Sequence, residues 1–266
     1  MMKGFILSVR SEFYKSRKTL GFWCSILLPL LICLLIFMGF LTHSEKASGL
    51  PGQFLWMMYA NSILNIMGLL LLPIYVIFVA YSVNSIEHKA DTWKTLFSLP
   101  ISKWSVYSAK YFFALFLVFL CLLLFFLFTI ASGNLLNTLK PELKFNEFHM
   151  ESFLGQVYFK LFLSSLGILS IQFLLSLVWS DFLKPMGIGF IGTISAIIMV
   201  TTGWQYGYLV PYAHPLLAIK GLLQRQGPGQ PVLSVDLFTQ EIYVSLAVAL
   251  VFFIAGFFIV QKKSVK

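Results

Sequence analysis

Long apolar runs separated by short polar stretches dominate the chain. A window of about 19 residues marks six such runs, each close to the roughly 20 residues of helix that cross the hydrocarbon core of a bilayer. The runs cover residues 21–41, 60–83, 108–131, 158–179, 185–202 and 242–260. This pattern predicts an all-α membrane protein with six transmembrane helices.

Composition supports this assignment. Hydrophobic residues make up 59% of the chain and charged residues 11%, and the mean hydropathy is +0.87. A soluble domain has about 25% charged residues, so a water-soluble fold is excluded. No polar tract is long enough for a second folded unit, and we therefore predict a single membrane domain over residues 1–266.

The distribution of charge predicts the orientation. Six spans place both termini on one side of the membrane, together with the polar stretches at 87–110 and 181–184. Of the 19 Lys and Arg residues, thirteen lie on that side, against four of the ten acidic residues. The whole net charge of +9 is therefore on one side, and basic residues concentrate in cytoplasmic loops. We predict cytoplasmic termini in the cell membrane, and the basic charge needs no nucleic-acid partner to explain it.

A basic segment, residues 1–20, precedes the first run. Phe5, Val9 and Phe13 are four residues apart, so a helix would carry them on one face. The basic residues available to anionic headgroups are Arg10, Lys15, Arg17 and Lys18. The segment predicts an interfacial helix ahead of the first span, and a disordered basic terminus is the alternative.

Polar residues inside the predicted spans are few. Asn61 and Asn65 lie four residues apart in the second span, and Gln172 lies in the fourth. Such residues can line a transport path, but more often they bond neighbouring helices. We expect no Asp, Glu, Lys or Arg in the span interiors, although ion-driven transporters commonly use such residues. A secondary transporter or channel is therefore the weaker alternative function.

Motifs for catalysis and cofactor binding point away from an enzyme. Residues 187–192 read Gly-Ile-Gly-Phe-Ile-Gly, the spacing of a dinucleotide-binding loop, but they lie within an apolar span. Small residues that let helices pack closely explain them better. The chain contains neither a G-x-x-x-x-G-K-[ST] phosphate loop nor a G-x-S-x-G elbow. An intramembrane hydrolase is the least supported alternative, and we predict no catalytic, cofactor or metal residues in this chain.

The charged stretch at 87–110 lies between the second and third spans. Its first part, residues 86–100, has apolar residues near one helical face, namely Ile86, Trp93, Leu96 and Phe97. Pro100 would end such a helix. The stretch predicts a short amphipathic helix on the cytoplasmic surface, and the alternative is an interfacial loop anchored by Trp93 and Trp104.

Several short motifs carry a family resemblance. Glu87 precedes Asp-Thr-Trp-Lys-Thr-Leu at 91–96, Leu-Pro-Ile-Ser-Lys at 99–103, and Lys110 at the start of the next span. Two further motifs are Glu-x-x-Lys from Glu12 to Lys15 and Pro-Tyr-Ala-His-Pro at 211–215. The set resembles the permease subunits of type-2 ABC exporters, especially bacitracin-resistance and lantibiotic-immunity permeases. Many of these have Gly where Asp91 stands.

This resemblance implies partners and a mechanism. The chain would pair with a second permease subunit, and its loop would dock a separate ATP-binding subunit that holds ATP and Mg²⁺. The residues expected to form this coupling surface are Glu87, Asp91, Trp93, Lys94, Leu96, Phe97, Pro100 and Ile101. The resemblance also implies a re-entrant helical hairpin at 211–223 and export of an amphipathic peptide or a lipid-like molecule.

Overall fold

A computed structural model describes residues 2–43, 50–98, 100–224 and 235–262. The helices are α1 (Met2–Ser16), α2 (Leu20–Thr42), α3 (Gly52–Ile66), α4 (Leu72–Ala90), α5 (Trp93–Ser98), α6 (Lys103–Leu139), α7 (Glu151–Val178), α8 (Leu183–Thr201), α9 (His214–Gln224) and α10 (Gln240–Lys262). The π-helical turn Met67–Leu71 joins α3 to α4, so that Gly52–Ala90 forms one continuous path.

Six helical paths in the described residues are long and apolar enough to cross a membrane. They are α2, α3 with α4, α6, α7, α8 and α10. This confirms the predicted all-α fold with six spanning helices. Two of them extend well beyond the apolar runs, because a helix continues wherever its backbone hydrogen bonds can form, whereas a hydropathy window detects only its apolar part.

The centre of the bundle is α7, which packs against α4, α6, α9 and α10. Its buried face carries small hydroxyl residues that bond other helices. Asn84 Nδ2 of α4 donates to Ser176 Oγ at 2.8 Å, and Tyr111 and Ser170 hydroxyls lie 2.6 Å apart. Ser245 Oγ of α10 donates to the Leu163 carbonyl at 2.8 Å. Small residues let the helices approach closely, and the hydrogen bonds fix their relative positions.

We call one end of the bundle the near end, where α1, α5 and the last turn of α10 lie. Lys103 Nζ, at the start of α6, donates to the Gln261 carbonyl near the end of α10 at 3.3 Å. α1 packs along α6. Since α6 starts here and runs to the opposite, far end, the short helix α5 and the start of α6 share the near end with both terminal helices.

The segment before α10 contains the 3₁₀ turns Gly207–Leu209 and Pro211–Ala213, followed by α9. His214 is fully buried, and its Nε2 lies 2.8 Å from the Tyr208 carbonyl. α9 packs against α7 and the π-helical turn, where Ile219 lies over Gly68. The predicted hairpin at 211–223 therefore contains one helix, α9, preceded by a 3₁₀ turn. Residues 225–234 lie outside the described residues, and the depth of α9 in the membrane stays a prediction.

Two lysines correct the expectation that no charged residue lies inside the spanning helices. Lys110 lies about two turns into α6 and is 1% exposed, and Lys160 lies in α7 and is 3% exposed. Lys160 Nζ is 3.4 Å from Glu241 Oε1 of α10. The sequence prediction missed both because hydropathy averages them with their apolar neighbours, while the helices bury them with carboxylates from distant segments.

Candidate functional site

The loop between α4 and α6, residues 91–102, begins with a sharp turn at Asp91. This residue ends α4 in the left-handed conformation, with φ 47° and ψ 37°. Its N–H donates to the Glu87 carbonyl, and the Thr92 N–H donates to the same carbonyl at 3.1 Å. Asp tolerates the left-handed region better than most residues, although Gly is preferred there. The tight turn therefore forms with Asp91 in place of Gly.

The short helix α5 follows directly. Leu96 N–H donates to the Thr92 carbonyl at 2.9 Å, which closes its first turn. Pro100 comes after its end, and Ser102 caps α6 by accepting the Ser105 N–H at 3.2 Å. The predicted helix over 86–100 is therefore divided at Asp91. Residues 86–90 belong to α4, because the turn redirects the chain before Trp93.

Trp93 attaches α5 to the bundle. Its indole Nε1–H donates to His88 Nδ1 at 3.1 Å, and His88 Nε2 lies 2.9 Å from the Ser176 carbonyl of α7. A neutral His88 with hydrogen on Nε2 satisfies both contacts, because Nδ1 accepts and Nε2 donates. This chain of hydrogen bonds joins α5 to the ends of α4 and α7.

Four charged side chains from three helices meet beside Trp93, and we call them the four-charge cluster: Glu12, Lys15, Glu87 and Lys110. Lys15 Nζ lies 2.8 Å from one oxygen of each carboxylate. Lys110 Nζ contacts the other oxygen of each, at 3.0 Å for Glu12. Each carboxylate thus bridges both ammonium groups, and the cluster has no net charge.

Burial makes this cluster energetically demanding. The side chains of Glu12, Glu87 and Lys110 are 1–3% exposed, and that of Lys15 is 29% exposed. Moving such charges out of water costs several kcal/mol each, which is offset only by close pairing. Burial alone would lower the pKa of Lys15, but the Glu12 and Glu87 carboxylates outweigh it and raise this pKa above its ordinary value. Lys15 therefore stays charged at physiological pH.

The four-charge cluster also touches α5. Lys110 Nζ lies 5.6 Å from the centre of the Trp93 ring, within cation–π range. It donates in addition to the Val83 carbonyl at 3.3 Å. A single buried ammonium therefore links α1, α4, α6 and the loop helix.

The predicted coupling residues occupy different environments. Asp91 and Pro100 are exposed, whereas Trp93, Leu96 and Ile101 are half-buried. Glu87 departs from the expected contact surface, because it is 2% exposed and held by the two lysines. Of the predicted coupling residues, Lys94 and Phe97 have side chains that fall outside the described part of the chain.

A groove of about 320 Å³ separates this loop from α1. Leu96 and Ile101 line one side, and Leu7 and Tyr14 are among the residues on the other. The loop and α1 therefore line the same groove, although the sequence analysis described them as separate elements. In the sequence, the signals that α1 and the loop lie together were the Glu-x-x-Lys spacing of Glu12 and Lys15 and the position of Lys110 at the start of a span.

The three polar residues predicted for a path or for packing lie in two places. On α3, Asn65 is exposed, and the Asn61 side-chain oxygen is buried without a hydrogen-bond partner in the described residues. Gln172 of α7 is buried, and its Nε2 donates to the Tyr212 hydroxyl at 2.7 Å. Gln172 thus bonds α7 to the segment before α9.

The glycines of the 187–192 motif serve helix packing at two positions. A Cβ at Gly189 would lie 2.6 Å from Gln172 Nε2 and 2.7 Å from Ile77 Cδ1. At Gly192 it would lie 2.9 Å from the Tyr212 ring. No atom lies within 4 Å of a Cβ at Gly187. The small side chains let α8 approach α4, α7 and the segment before α9.

A family model described as ABC-2 family transporter protein matches residues 8–196. This range extends from α1 into α8 and includes the four-charge cluster and the loop with α5. No curated protein and no solved structure matches the chain. Because the family match covers well over half of the chain and the helices provide six candidate spans, the chain belongs to the ABC-2 family of transporter proteins and is a permease subunit of an ABC transporter.

Proposed function

We propose that this permease subunit belongs to an ATP-driven exporter and receives energy through the surface of α5. A separate ATP-binding subunit docks there and supplies ATP and Mg²⁺, and a second permease subunit completes the assembly. The observation that supports this proposal best is the attachment of α5. Trp93 connects it through His88 to α7, and through Lys110 to α1, α4 and α6.

This attachment suits the transmission of movement. A loosely tethered loop would absorb a displacement of the docked subunit, whereas bonded and packed side chains pass it to the helices. The Asp91 turn lets α5 leave the axis of α4 while its first residue stays bonded to the last turn of that helix. Glu87 has a positioning role in this proposal, because it is buried beneath the loop.

The far end supports an amphipathic or lipid-like substrate. A groove of about 450 Å³ is lined by residues of α2 and α3 and by the 3₁₀ turns that follow α6, Pro141–Leu143 and Phe145–Glu147. Its lining includes Leu35, Phe40, Leu55, Met58 and Phe145, together with the polar residue His43. Pockets for small molecules are mostly apolar with a few polar groups. An acyl chain or the apolar face of an antimicrobial peptide fits this lining.

The docking surface is tested by changing Leu96 to glutamate. A charge placed at a half-buried apolar contact disrupts a protein interface, and central contacts are commonly worth about 2 kcal/mol or more. We expect Leu96→Glu to reduce co-purification of the co-expressed ATP-binding subunit by roughly tenfold or more. The matched control is Leu139→Glu at the far end, where the leucine is 51% exposed. Undiminished co-purification with Leu96→Glu would contradict the docking site.

Orientation is tested by cysteine labelling. Lys89 and Lys144 are exposed at opposite ends of the bundle, so single cysteines there report on the two sides. Cys24, Cys33 and Cys121 are first replaced to remove background. A membrane-impermeant thiol reagent should label position 144 in intact cells, and position 89 only after the membrane is opened. Labelling of 89 in intact cells would show the opposite orientation.

A further inference from the structure

α1 presents two different surfaces. Ser8, Glu12 and Ser16, spaced four residues apart, are buried against the bundle. The outward surface carries large apolar and aromatic residues instead, since Ile6 is 63%, Phe13 41% and Tyr14 52% exposed. A helix that turns polar and charged residues inward and large apolar ones outward has an outer surface suited to lipid rather than to water.

An apolar groove runs between this surface and α6. Its lining consists of Phe5, Val9 and Phe13 from α1 and Phe112, Phe113 and Phe116 from α6, and it encloses about 610 Å³. Phe5 and Phe112 meet edge to face, with ring centres 6.0 Å apart. Phe112 and Phe116 remain 50% and 44% exposed. Because α6 is a candidate membrane span, the groove is open to the acyl chains around it.

Two exposed arginines lie close along the chain to residues of this groove: Arg10 follows Val9, and it also lines the smaller groove between α1 and the loop. Arg10 lies three residues before Phe13 in α1, and Arg17 directly follows the last residue of α1, where its N–H donates to the Phe13 carbonyl at 3.3 Å. Their guanidinium carbons lie 5.8 Å and 4.5 Å from the centre of the Tyr14 ring. Among the described residues neither has a carboxylate within 4.0 Å, whereas Lys15 on the same helix has two.

We propose that Arg10, Arg17 and this groove form a binding site for an anionic phospholipid. The two guanidinium groups hold the phosphate of the headgroup, and an acyl chain lies along the groove beside Phe13. Paired arginines suit phosphate because their N–H groups match its oxygens. A zwitterionic lipid also carries a phosphate, but its own ammonium group offsets the charge that the two arginines would bind, and a free phosphate would leave the groove empty. An anionic amphiphile satisfies both parts.

The position of the site gives the lipid a consequence for coupling. α1 also carries Glu12 and Lys15, which pair with Glu87 and Lys110 beside α5. A lipid that holds α1 against α6 would therefore stabilise the four-charge cluster and the attachment of the loop. This consequence rests on the proposed function, but the binding site itself does not.

The test measures lipid retention by native mass spectrometry on the purified chain without its ATP-binding subunit. The probes are phosphatidylglycerol and phosphatidylcholine with identical acyl chains. The choline ammonium of phosphatidylcholine competes with the two arginines for the phosphate, whereas the headgroup of phosphatidylglycerol carries no cation, so we expect the chain to favour phosphatidylglycerol by about tenfold. Arg10→Gln with Arg17→Gln should abolish this preference, and Arg10→Lys with Arg17→Lys should restore most of it.

The matched control is Lys89→Gln with Lys262→Gln, which removes two exposed charges from the same end of the bundle. This control should keep the preference. An equal loss in the control would mean diffuse attraction without a site and would overturn the proposal, as would an unchanged preference in the arginine variant. Val9→Trp fills the groove and should lower retention of both lipids, and normal retention of both would exclude the groove.

Co-purification of the co-expressed ATP-binding subunit tests whether the two arginines bind a protein partner instead of a lipid. If the arginine variant keeps its preference for phosphatidylglycerol but loses the co-expressed ATP-binding subunit, the arginines belong to a protein interface and the lipid site is wrong. Failure of Leu96→Glu to release that subunit would instead contradict only the proposed docking site. The two proposals can therefore fail independently.

Discussion

Replacing Lys110 with methionine is expected to lower the free energy of unfolding by about 3–5 kcal/mol, the usual cost of removing one partner from a buried ion pair. Methionine keeps much of the length of the side chain, so the loss comes from charge rather than volume. Glu12 and Glu87 would remain buried with only Lys15 between them. The measurement is denaturant unfolding in mixed micelles.

A double variant, measured in the same way, separates the effect of an unbalanced buried charge from a general loss of packing. In Lys110→Met with Glu87→Gln, the remaining Glu12 and Lys15 form a neutral pair at 2.8 Å. We expect this double variant to recover a large part of the lost stability, which a double-mutant cycle would report as a coupling energy. Lys89→Met, at an exposed position, should stay within about 0.5 kcal/mol of the unchanged protein. A Lys110→Met variant within that same margin would contradict the structural role of the cluster.

Replacing Gly189 with alanine is expected to cost about 1–3 kcal/mol, which is typical of an added group in a packed core. The new Cβ would lie 2.6 Å from Gln172 Nε2 and 2.7 Å from Ile77 Cδ1, so two side chains must move. Gln172 cannot move freely, because its Nε2 bonds the Tyr212 hydroxyl. The expected result is a lower unfolding midpoint for Gly189→Ala.

Gly187 in the same motif is the matched control. No atom lies within 4 Å of its added Cβ, and alanine favours a helix over glycine by up to about 1 kcal/mol. Gly187→Ala should therefore be neutral or stabilising, opposite in sign to Gly189→Ala. Equal effects of the two substitutions would show that close packing does not explain the motif.

Much of the fold was predictable because hydropathy is a local property. A run of apolar residues such as 21–41 must satisfy its backbone hydrogen bonds within itself when it lies in lipid, and a helix does this. The six spans followed directly. The division of the 86–100 helix at Asp91 was not predictable in this way, because a single left-handed residue redirects the chain without changing its periodicity.

The candidate site was predicted only in part. The loop and its Trp93 stood out, since a charged stretch between apolar runs must lie at a membrane surface. The burial of Glu87 did not, and neither did the bond from Trp93 through His88 to α7. Amphipathic periodicity places residues on a helical face, but it does not say which other helix covers that face.

The sequence by itself determined the class of protein, its six spans and the position of the charged loop between the second and third spans, because these depend on neighbouring residues and short motifs. Only the tertiary structure decided which charges are buried and with whom. Lys15 meets Glu87 across 72 residues, and Lys110 meets Glu12 across 98. Such contacts form because the helices pack, and a carboxylate that looks exposed in the sequence becomes stable inside only when both lysines reach it.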